Sequence, residues 1–280
     1  MAVRAGARAR TGAARRGARR AAPGLPSRGL HAVCVSRGSR RVRVCIQQPA
    51  YWPWLGAIDR IARCDLAILL DHVAIEHGTR TQFTNRNRVR TAAGWTWLSV
   101  PVRAREQGDA VPIEHVAIAE DGRWRRKHFE TLRQSYRGAA GWAAQQEWLE
   151  LLYGHEWSRL APLIEATTVR LLQGFEVDTP LLRSSTLQSR SRKSQLVLDL
   201  CLEVRASTYL SGPFGRDYLD LAAFERAGVR VEFHDYAHPR YEQLHPGFEA
   251  NLSALDLLLT HPAQARAILQ QGTTREERAA

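Results

Sequence analysis

Hydrophobic positions along the chain follow two patterns, short β-branched runs and longer stretches with helical spacing. Runs with strand character occur at residues 42–46, 66–70, 181–185, 209–211 and 229–233. A helical stretch over about 54–63 separates the first two runs, which is the order of a right-handed βαβ unit. From residue 124 to 173 the apolar positions follow helical spacing, with breaks near Gly138 and Gly154. The pattern predicts an α/β fold: a single domain with a mainly parallel, Rossmann-like sheet, helices on both faces and a helical insertion at 124–173.

The segments between these elements have a less definite pattern. Residues 83–89 lead through the turn signal Ala93-Gly94 into 95–102, which indicates either a hairpin or a strand that extends the sheet. Residues 113–118 have the pattern of one more strand. Helices are expected near 194–204, 219–227 and from about 253, with Ser194 as the cap of the first.

The charge of the chain is concentrated at its N-terminus. The formal net charge of the 280 residues is +12. Residues 1–43 contain twelve arginines and no Lys, Asp or Glu, so the rest is neutral, with 28 basic and 28 acidic residues. This composition predicts a disordered, Arg-rich tail over 1–41, an α/β domain over 42–272 and a frayed C-terminus over 273–280. The tail could be a transit peptide, a polyanion-binding arm or sequence translated from an early start codon.

Cysteine spacing and apolar runs bear on the location of the protein. Cys34, Cys45, Cys64 and Cys201 are scattered without C-x-x-C spacing, which favours reduced thiols in a cytosolic protein. No apolar run reaches the roughly 18 residues of a membrane helix, and the first residues lack the apolar core of a secretory signal. We therefore expect a cytoplasmic protein without a membrane span, and no nucleic-acid partner outside the tail.

Polar and aromatic side chains follow the first two predicted strands. Gln48, Tyr51 and Trp54 lie in the loop that leads from the first strand to a helix N-terminus, where backbone N–H groups favour anions. Asp71 ends the second strand. In α/β proteins ligands bind at the carboxyl ends of the strands, so these four residues are candidates for substrate binding. The alternative for the first loop is a proline-rich aromatic turn packed for rigidity.

A Gly- and Pro-rich loop follows the predicted strand at 209–211. Ser211 and Tyr218 supply hydroxyl groups, and Gly212 and Gly215 would let a ligand approach the backbone closely. Together with Tyr209 they form a second group of candidate substrate-binding residues. A tight strand-to-helix turn without any ligand would have the same composition.

The densest polar cluster of the neutral region carries two amides and two guanidinium groups. It comprises Asn85, Arg86, Asn87 and Arg88. Such groups suit a carboxylate or a phosphate, and we treat them as further substrate-binding candidates, with a solvated loop as the alternative. Lys127 and His128 are candidates for catalytic proton transfer, with a charged helix face as the alternative.

Four further residues flank a single loop before a predicted helix and are candidates for phosphate binding. They are Arg183, Ser184, Lys193 and Ser194. The loop lacks the glycines of a Walker motif. If the strand at 181–185 lay next to the strand at 209–211, these residues would meet Ser211 at the same edge of the sheet.

Standard catalytic and metal signatures are absent from the sequence. It contains no G-x-S-x-G, no H-E-x-x-H and no G-x-G-x-x-G motif. His234, His238 and His245 are close in sequence but lack the cysteine or carboxylate spacing of a metal site. We therefore expect no metal and no cofactor.

Taken in order, these motifs resemble the WbqC-like protein family, which is known from bacterial O-antigen and other surface-polysaccharide gene clusters. The opening motif of that family is matched by Gln47-Gln48-Pro49-Ala50-Tyr51-Trp52-Pro53-Trp54-Leu55-Gly56. Later matches include Thr84-Asn85-Arg86-Asn87-Arg88, Trp124-Arg125-x-Lys127-His128 and Tyr209-Leu210-Ser211-Gly212-Pro213. The resemblance covers roughly residues 42–269. Two positions depart from it, because Gln47 replaces a usual His and His72 stands where a second Asp often follows Asp71.

The resemblance implies a transferase of an amino-acid or acyl group, glycine having been suggested, in surface-polysaccharide or related cell-envelope or secondary-metabolite biosynthesis. Its partner would be a phosphate-bearing small molecule, either a nucleotide-linked sugar or a carrier-linked substrate. Two alternatives stay open. One is a nucleotidyltransferase-like enzyme, and the other is a non-catalytic binding module of a biosynthetic cluster.

Overall fold

The computed structural model describes residues 41–75, 83–107, 110–119 and 121–272. The predicted tail at 1–41, apart from Arg41, and the predicted frayed end at 273–280 lie outside the described residues. The strands are β1 Val42–Gln47, β2 Leu66–Leu69, β3 Arg86–Thr91, β4 Gly94–Ser99, β5 Leu181–Arg183, β6 Ala206–Ser211 and β7 Arg230–Phe233. The helices are α1 Leu55–Ala62, α2 Ala104–Gln107, α3 Arg123–Tyr136, α4 Trp142–Gly154, α5 Leu160–Gly174, α6 Lys193–Glu203, α7 Leu221–Arg226, α8 Leu255–Thr260 and α9 Ala265–Gln271.

The main sheet has five strands in the order β5-β2-β1-β6-β7, and every neighbouring pair is parallel. Numbered along the chain, these strands stand in the order third, second, first, fourth, fifth, which is that of a Rossmann-like sheet. The predicted α/β class with a parallel sheet is confirmed. The direction of strand addition reverses between β1 and β6, so the loops after Gln47 and Ser211 face each other at the switch point of the sheet.

Alternating side chains of β1 divide the core into two layers. Cys45 belongs to a large cluster that contains α1 and the helices of the insertion, whereas Val44 and Ile46 belong to a cluster with α6 and α7. Because successive strand residues point to opposite faces, helices cover the sheet on both sides. The middle of β1 and all of β2 are buried on both faces, which explains the apolar runs there.

The helical insertion consists of α3, α4 and α5, and its predicted breaks are confirmed. The chain turns between α3 and α4 at Gly138 and Gly141. At position 141 a Cβ carbon would stand 2.7 Å from the carbonyl oxygen of Leu258, so the glycine allows α4 to start against α8. The N–H of Gly141 donates to the carbonyl oxygen of Leu259, and this bond fixes the insertion on the C-terminal helices.

Three local predictions need correction or refinement. Strands β3 and β4 form a separate antiparallel hairpin rather than an extension of the main sheet. The predicted strand at 113–118 is wrong, because Ile113–His115 is a 3-10 turn and the segment forms only isolated bridges. Ser194 is not a helix cap: α6 begins at Lys193, and the hydroxyl of Ser194 instead accepts a hydrogen bond from the N–H of Asp220.

The expected neighbourhood of the strands at 181–185 and 209–211 is also wrong. Strand β5 is the edge strand beyond β2, and β2 and β1 lie between it and β6. Sequence order suggested the pairing, but the chain crosses to the other half of the sheet through α6. Within the described ranges, no helix combines the length and apolarity needed to cross a membrane.

Candidate functional site

The switch point is occupied by the guanidinium group of Arg60. It donates hydrogen bonds from Nε and Nη2 to Oε1 of Gln47, at 3.2 and 2.6 Å. On the other side, a Cβ carbon at position 212 would stand 2.3 Å from Nη1 of Arg60, so only a glycine leaves room for this close approach. Arg60 thus reaches from α1 to the carboxyl ends of both β1 and β6. We call Gln47, Arg60 and Gly212 the switch-point crevice.

The buried carboxylate of Asp59, which precedes Arg60 in the sequence, interacts with other residues. Oδ2 of Asp59 accepts from Nε of Arg63 at 2.6 Å and contacts Nε2 of His234 at 2.7 Å. Asp59 is 1% exposed and His234 is 5% exposed. Among the described residues, the hydrogen bonds of the Arg60 guanidinium go to Gln47 and not to a carboxylate. Its positive charge therefore stands without an acidic partner among the described residues, at the edge where ligands bind.

The loop after β6 shapes one wall of the crevice. Ser211 is buried, and its hydroxyl donates to the carbonyl oxygen of Gly212 at 3.1 Å. Gly215 packs on Ser211, since a Cβ carbon there would fall 2.0 Å from the Ser211 Oγ. Tyr209 is a core residue that stacks on Phe224, and burial raises its pKa. Tyr218 is about half exposed, and burial of its remaining part raises its pKa as well.

A second polar cluster lies where β2 and β5 end. The carboxylate of Asp71 accepts from Ser184 Oγ at 3.1 Å, from the N–H of Ser185 at 2.8 Å and from Ser185 Oγ at 2.7 Å. Nδ1 of His72 stands 2.6 Å from Ser184 Oγ. Burial, and secondly the positive charge of Arg190, lower the pKa of His72. We call Asp71, His72 and Ser184 the β2–β5 cluster.

The four predicted phosphate-binding residues lie in different parts of the structure. Arg183 pairs with Glu165 of α5, and Ser184 belongs to the β2–β5 cluster. Lys193 is exposed at the start of α6, and Ser194 contacts the backbone of Asp220 at the start of α7. Of these four residues, only Ser194 touches the segment that follows the β6 loop. The structure does not bring them together into one cradle.

The predicted catalytic pair is divided between surface and core. Lys127 is exposed on α3, whereas His128 is 3% exposed. His128 ends a buried chain of hydrogen bonds in which Trp52 Nε1 donates to Tyr153 Oη at 3.0 Å, and Tyr51 Oη lies 2.8 Å from Tyr153 Oη and 3.1 Å from His128 Nδ1. Burial lowers the pKa of His128 to about 3. The pair therefore does not share one site, and the network joins the loop after β1 to α3 and α4.

The remaining residues of the first loop take different positions. Gln48 is exposed beside the switch-point crevice. Trp54 packs edge-on against Tyr236, with ring centroids 5.7 Å apart, and covers Gly56. Tyr51 is fully buried in the network with His128. Of the three predicted residues in this loop, Gln48 is the one with an exposed side chain.

The outer face of the β3–β4 hairpin stacks guanidinium groups on indole rings. The Arg86 guanidinium lies 4.5 Å from the Trp97 ring centroid, and that of Arg88 lies 5.1 Å from the Trp95 ring centroid. The two amides of the predicted cluster serve the backbone instead. Nδ2 of Asn85 donates to the carbonyl oxygen of Val100 at 2.9 Å. Asn87 is 1% exposed, and its Nδ2 donates to the carbonyl oxygen of Trp52 at 2.7 Å.

A buried carboxylate also anchors the C-terminal segment. Asp256 is fully buried and accepts from Tyr136 Oη at 2.7 Å, Tyr241 Oη at 2.9 Å and Gln243 Nε2 at 3.2 Å. Burial raises the pKa of Asp256. Tyr136 Oη also accepts from the backbone N–H of Arg90, so one hydroxyl connects the hairpin, α3 and α8. This network is structural, because it joins buried groups of the hairpin, α3 and the C-terminal segment.

Sequence reasoning missed Arg60, Asp59 and His234 as members of a site. Arg60 lies in an amphipathic helix, where a single arginine looks like a solvent-facing charge. The spacing in this short helix gives no signal that would have found it, because Arg60 stands five residues after Leu55 and so does not share its face. Within the described part of the chain, no group of histidines, cysteines and carboxylates is arranged to hold a metal ion.

Comparison with known proteins identifies the relationship of this chain. The model of the WbqC-like protein family matches residues 48–268, which include Arg60, Gly212 and the β2–β5 cluster and begin one residue after Gln47. The chain belongs to the WbqC-like protein family. It is also 32% identical over 225 residues to the uncharacterized protein Rv1507c of Mycobacterium tuberculosis, a match that covers 80% of this chain and 95% of that protein. No solved structure matches this WbqC-like chain.

Proposed function

We propose that this WbqC-like protein is a transferase that moves an activated acyl or aminoacyl group, such as glycyl, onto the amine of a phosphate-bearing saccharide. The phosphate of that substrate binds at the switch-point crevice. The observation that carries the anion site is the position of Arg60, anchored by Gln47, pressed against Gly212 and without a carboxylate partner among the described residues. The acyl and saccharide chemistry is what membership of the family suggests.

The crevice has the properties that a phosphate site requires. A guanidinium presents several N–H donors in a plane and can bind two phosphate oxygens at once. Two of its donors are held by Gln47, which fixes the plane and leaves Nη1 directed at Gly212. Gln48 and Tyr218 lie at the open side, where the rest of a nucleotide or carrier would extend.

Binding can be tested with uridine diphosphate as the probe, followed by isothermal titration calorimetry. Arg60→Ala should weaken binding by about 10- to 100-fold, because hydrogen bonds to a charged group contribute about 1.5–3 kcal/mol. Arg137→Ala is the matched control, since Arg137 is an exposed arginine at the end of α3. Wild-type protein that binds no phosphate-bearing probe, or an Arg60→Ala variant that binds as well as wild type, would refute the anion site.

Transfer is tested separately by mass spectrometry. Activated acyl donors, both thioesters and acyl phosphates, are incubated with nucleotide-linked amino sugars, and the product is the amide. Release of pyrophosphate from a nucleoside triphosphate would point instead to a nucleotidyltransferase. Tight binding of the probe without turnover of any donor would make the protein a binding module.

A further inference from the structure

The β2–β5 cluster contains a histidine whose tautomer is fixed by its neighbours. The hydroxyl of Ser184 has one proton and three polar contacts: the N–H of Asp71 at 3.1 Å, Oδ1 of Asp71 at 3.1 Å and Nδ1 of His72 at 2.6 Å. The N–H of Asp71 can only donate, and the carboxylate can only accept. Ser184 Oγ therefore gives its proton to Asp71 and accepts from Nδ1–H of His72.

This assignment also determines the protonation of the other ring nitrogen of His72, Nε2. A neutral imidazole carries one proton, so Nε2 of His72 bears the lone pair. This atom is buried and has no hydrogen-bond partner within the described ranges. A buried acceptor without a donor costs free energy, and such an atom in a native fold calls for a partner that the described residues do not supply. An N–H group of a bound substrate would be such a partner.

The loop that carries His72 is held on both sides. The N–H of Glu114 donates to the carbonyl oxygen of Asp71 at 2.8 Å, and the N–H of Ile113 donates to that of Val73 at 3.0 Å. On the opposite side, Ser184 and Ser185 bind the Asp71 side chain. The imidazole thus stands where β2 and β5 end, with Nδ1 against Ser184. With about 4.8 Å between neighbouring strands, it lies roughly 10 Å across the sheet edge from the β1–β6 crevice.

We propose that His72 is the general base of the transferase, with Nε2 taking the proton of the attacking amine, and that Ser184 and Asp71 are positioning residues that hold its tautomer. This inference rests on the proposed function. As the amine nitrogen forms its bond to the acyl carbon, its proton passes to Nε2. The bond from the acyl carbon to the leaving group of the donor then breaks, and His72 returns the proton to that group.

The charges around His72 are compatible with this role. Arg190 directs its guanidinium at the carbonyl oxygens of Leu187 and Ser189, and its charge, after burial, lowers the pKa of His72. Asp71 and Glu114 act in the opposite direction. The net shift is downward, so the imidazole is neutral at pH 7 and able to accept a proton. Contacts between a base and its substrate are commonly completed only in the substrate complex, which is how a buried Nε2 would come to be used.

The tautomer can be tested without any substrate. Long-range ¹H–¹⁵N correlation spectra of the full chain report the protonation of each imidazole nitrogen, and the His72 signals are those lost in His72→Asn. We expect Nδ1 protonated and Nε2 unprotonated at neutral pH in wild type, and a mixture of tautomers in Ser184→Ala. A wild-type His72 protonated at Nε2 would overturn the proposal, as would an unchanged tautomer in Ser184→Ala.

Measurements of kcat distinguish a general base at His72 from a residue with only a structural role. The side-chain amide of His72→Asn can replace Nδ1–H as the donor to Ser184 but has no group at the place of Nε2. It should bind uridine diphosphate within about twofold of wild type and lose about 10²- to 10⁴-fold in kcat, the usual contribution of a general base. His72→Gln, which places an amide near Nε2, serves as the second variant if the first does not fold.

The outcomes distinguish this inference from the proposed function. If wild type turns over a donor and both His72 variants do so equally well, the base assignment is wrong while the transferase function stands. If wild type turns over no donor, the transferase function fails and the base role fails with it. If Arg60→Ala binds the probe normally, only the anion site is refuted.

Discussion

Gly212 and Arg60 approach each other so closely that a Cβ carbon at position 212 would stand 2.3 Å from the guanidinium Nη1. The two residues come from different halves of the sheet, one at the end of β6 and the other in the helix that follows β1. The backbone of Gly212 has a φ angle of −69°, which any amino acid can adopt. The glycine is therefore required by space and not by backbone conformation.

Gly212→Ala should weaken the binding of uridine diphosphate by about tenfold without unfolding the protein. The added methyl group displaces the far end of a flexible side chain, which costs little stability but moves the guanidinium out of the ligand position. Gly154→Ala is the matched control, because a Cβ carbon at 154 meets no atom within 4 Å. Titration calorimetry and thermal unfolding of both variants give the comparison. Normal affinity in Gly212→Ala would remove Arg60 from the anion site.

A charge placed beside Arg60 provides an independent test. Gln47→Glu keeps the size of the side chain but turns the acceptor of the Arg60 hydrogen bonds into a carboxylate. The resulting ion pair neutralises the guanidinium, so affinity for the anionic probe should fall by about tenfold or more while stability is kept. Gln134→Glu introduces the same charge at an exposed position on α3, outside the crevice. Equal loss in both variants would indicate a general charge effect rather than a contact with Arg60.

The parallel sheet could be predicted from the sequence because its signals are local. The inner strands carry short apolar runs, and the helix between the first two runs demands a crossover. The order of the strands is less local. Nothing in residues 181–185 indicates that they pair with β2 rather than β6, since both pairings bury the same apolar side chains. Only the path of α6 over the sheet decides between them.

The side-chain partners of the site depend on contacts between distant segments. His72 and Ser184 are 112 residues apart, and Asp59 and His234 are 175 residues apart. From their residue types, Ser184 and Asp71 could be predicted as candidates for ligand binding. Residue type could not show that their side chains hydrogen-bond each other. For the same reason the sequence could not show that the polar groups of Tyr51 and His128 contact each other inside the core. An apolar environment around a polar residue is a property of the fold.

Removal of a single hydroxyl should loosen the buried network around Asp256. Tyr136→Phe leaves the carboxylate and the backbone N–H of Arg90 each short of one partner, and we expect a loss of about 1–3 kcal/mol in the free energy of unfolding. Tyr218→Phe removes a hydroxyl from a ring that is 48% exposed and should change the free energy by less than about 0.5 kcal/mol. Urea unfolding of the two variants measures the difference.

The loss in Tyr136→Phe should also depend on pH. Burial raises the pKa of Asp256 in the folded state above its unfolded value of 3.8. The contribution of this group to stability is therefore complete below that value and is lost as pH rises through the folded-state pKa. Because the Tyr136 hydroxyl stabilises the ionised form, its removal should cost more at about pH 8 than at about pH 4. An equal cost at both values would contradict this account.

The buried His128 should make the protein sensitive to acid. Its pKa in the folded state is about 3, against 6.5 for an ordinary histidine. As pH falls below 6.5, the unfolded chain takes up a proton that the folded chain refuses, so the free energy of unfolding decreases until pH reaches about 3. The full effect is on the order of 5 kcal/mol, since each pKa unit corresponds to about 1.4 kcal/mol.

Replacement of this histidine should remove that part of the acid dependence. His128→Gln cannot be protonated, so its free energy of unfolding should fall less steeply between pH 6.5 and about 3 than that of wild type, even though the lost bond to Tyr51 lowers its stability at neutral pH. His115→Gln, at a side chain that is 60% exposed, is the control and should keep the wild-type slope. Urea unfolding across this range measures the slopes. If His128→Gln has the wild-type slope, the acid sensitivity must arise from other groups, and His128 must take up a proton in the folded state as readily as in the unfolded chain.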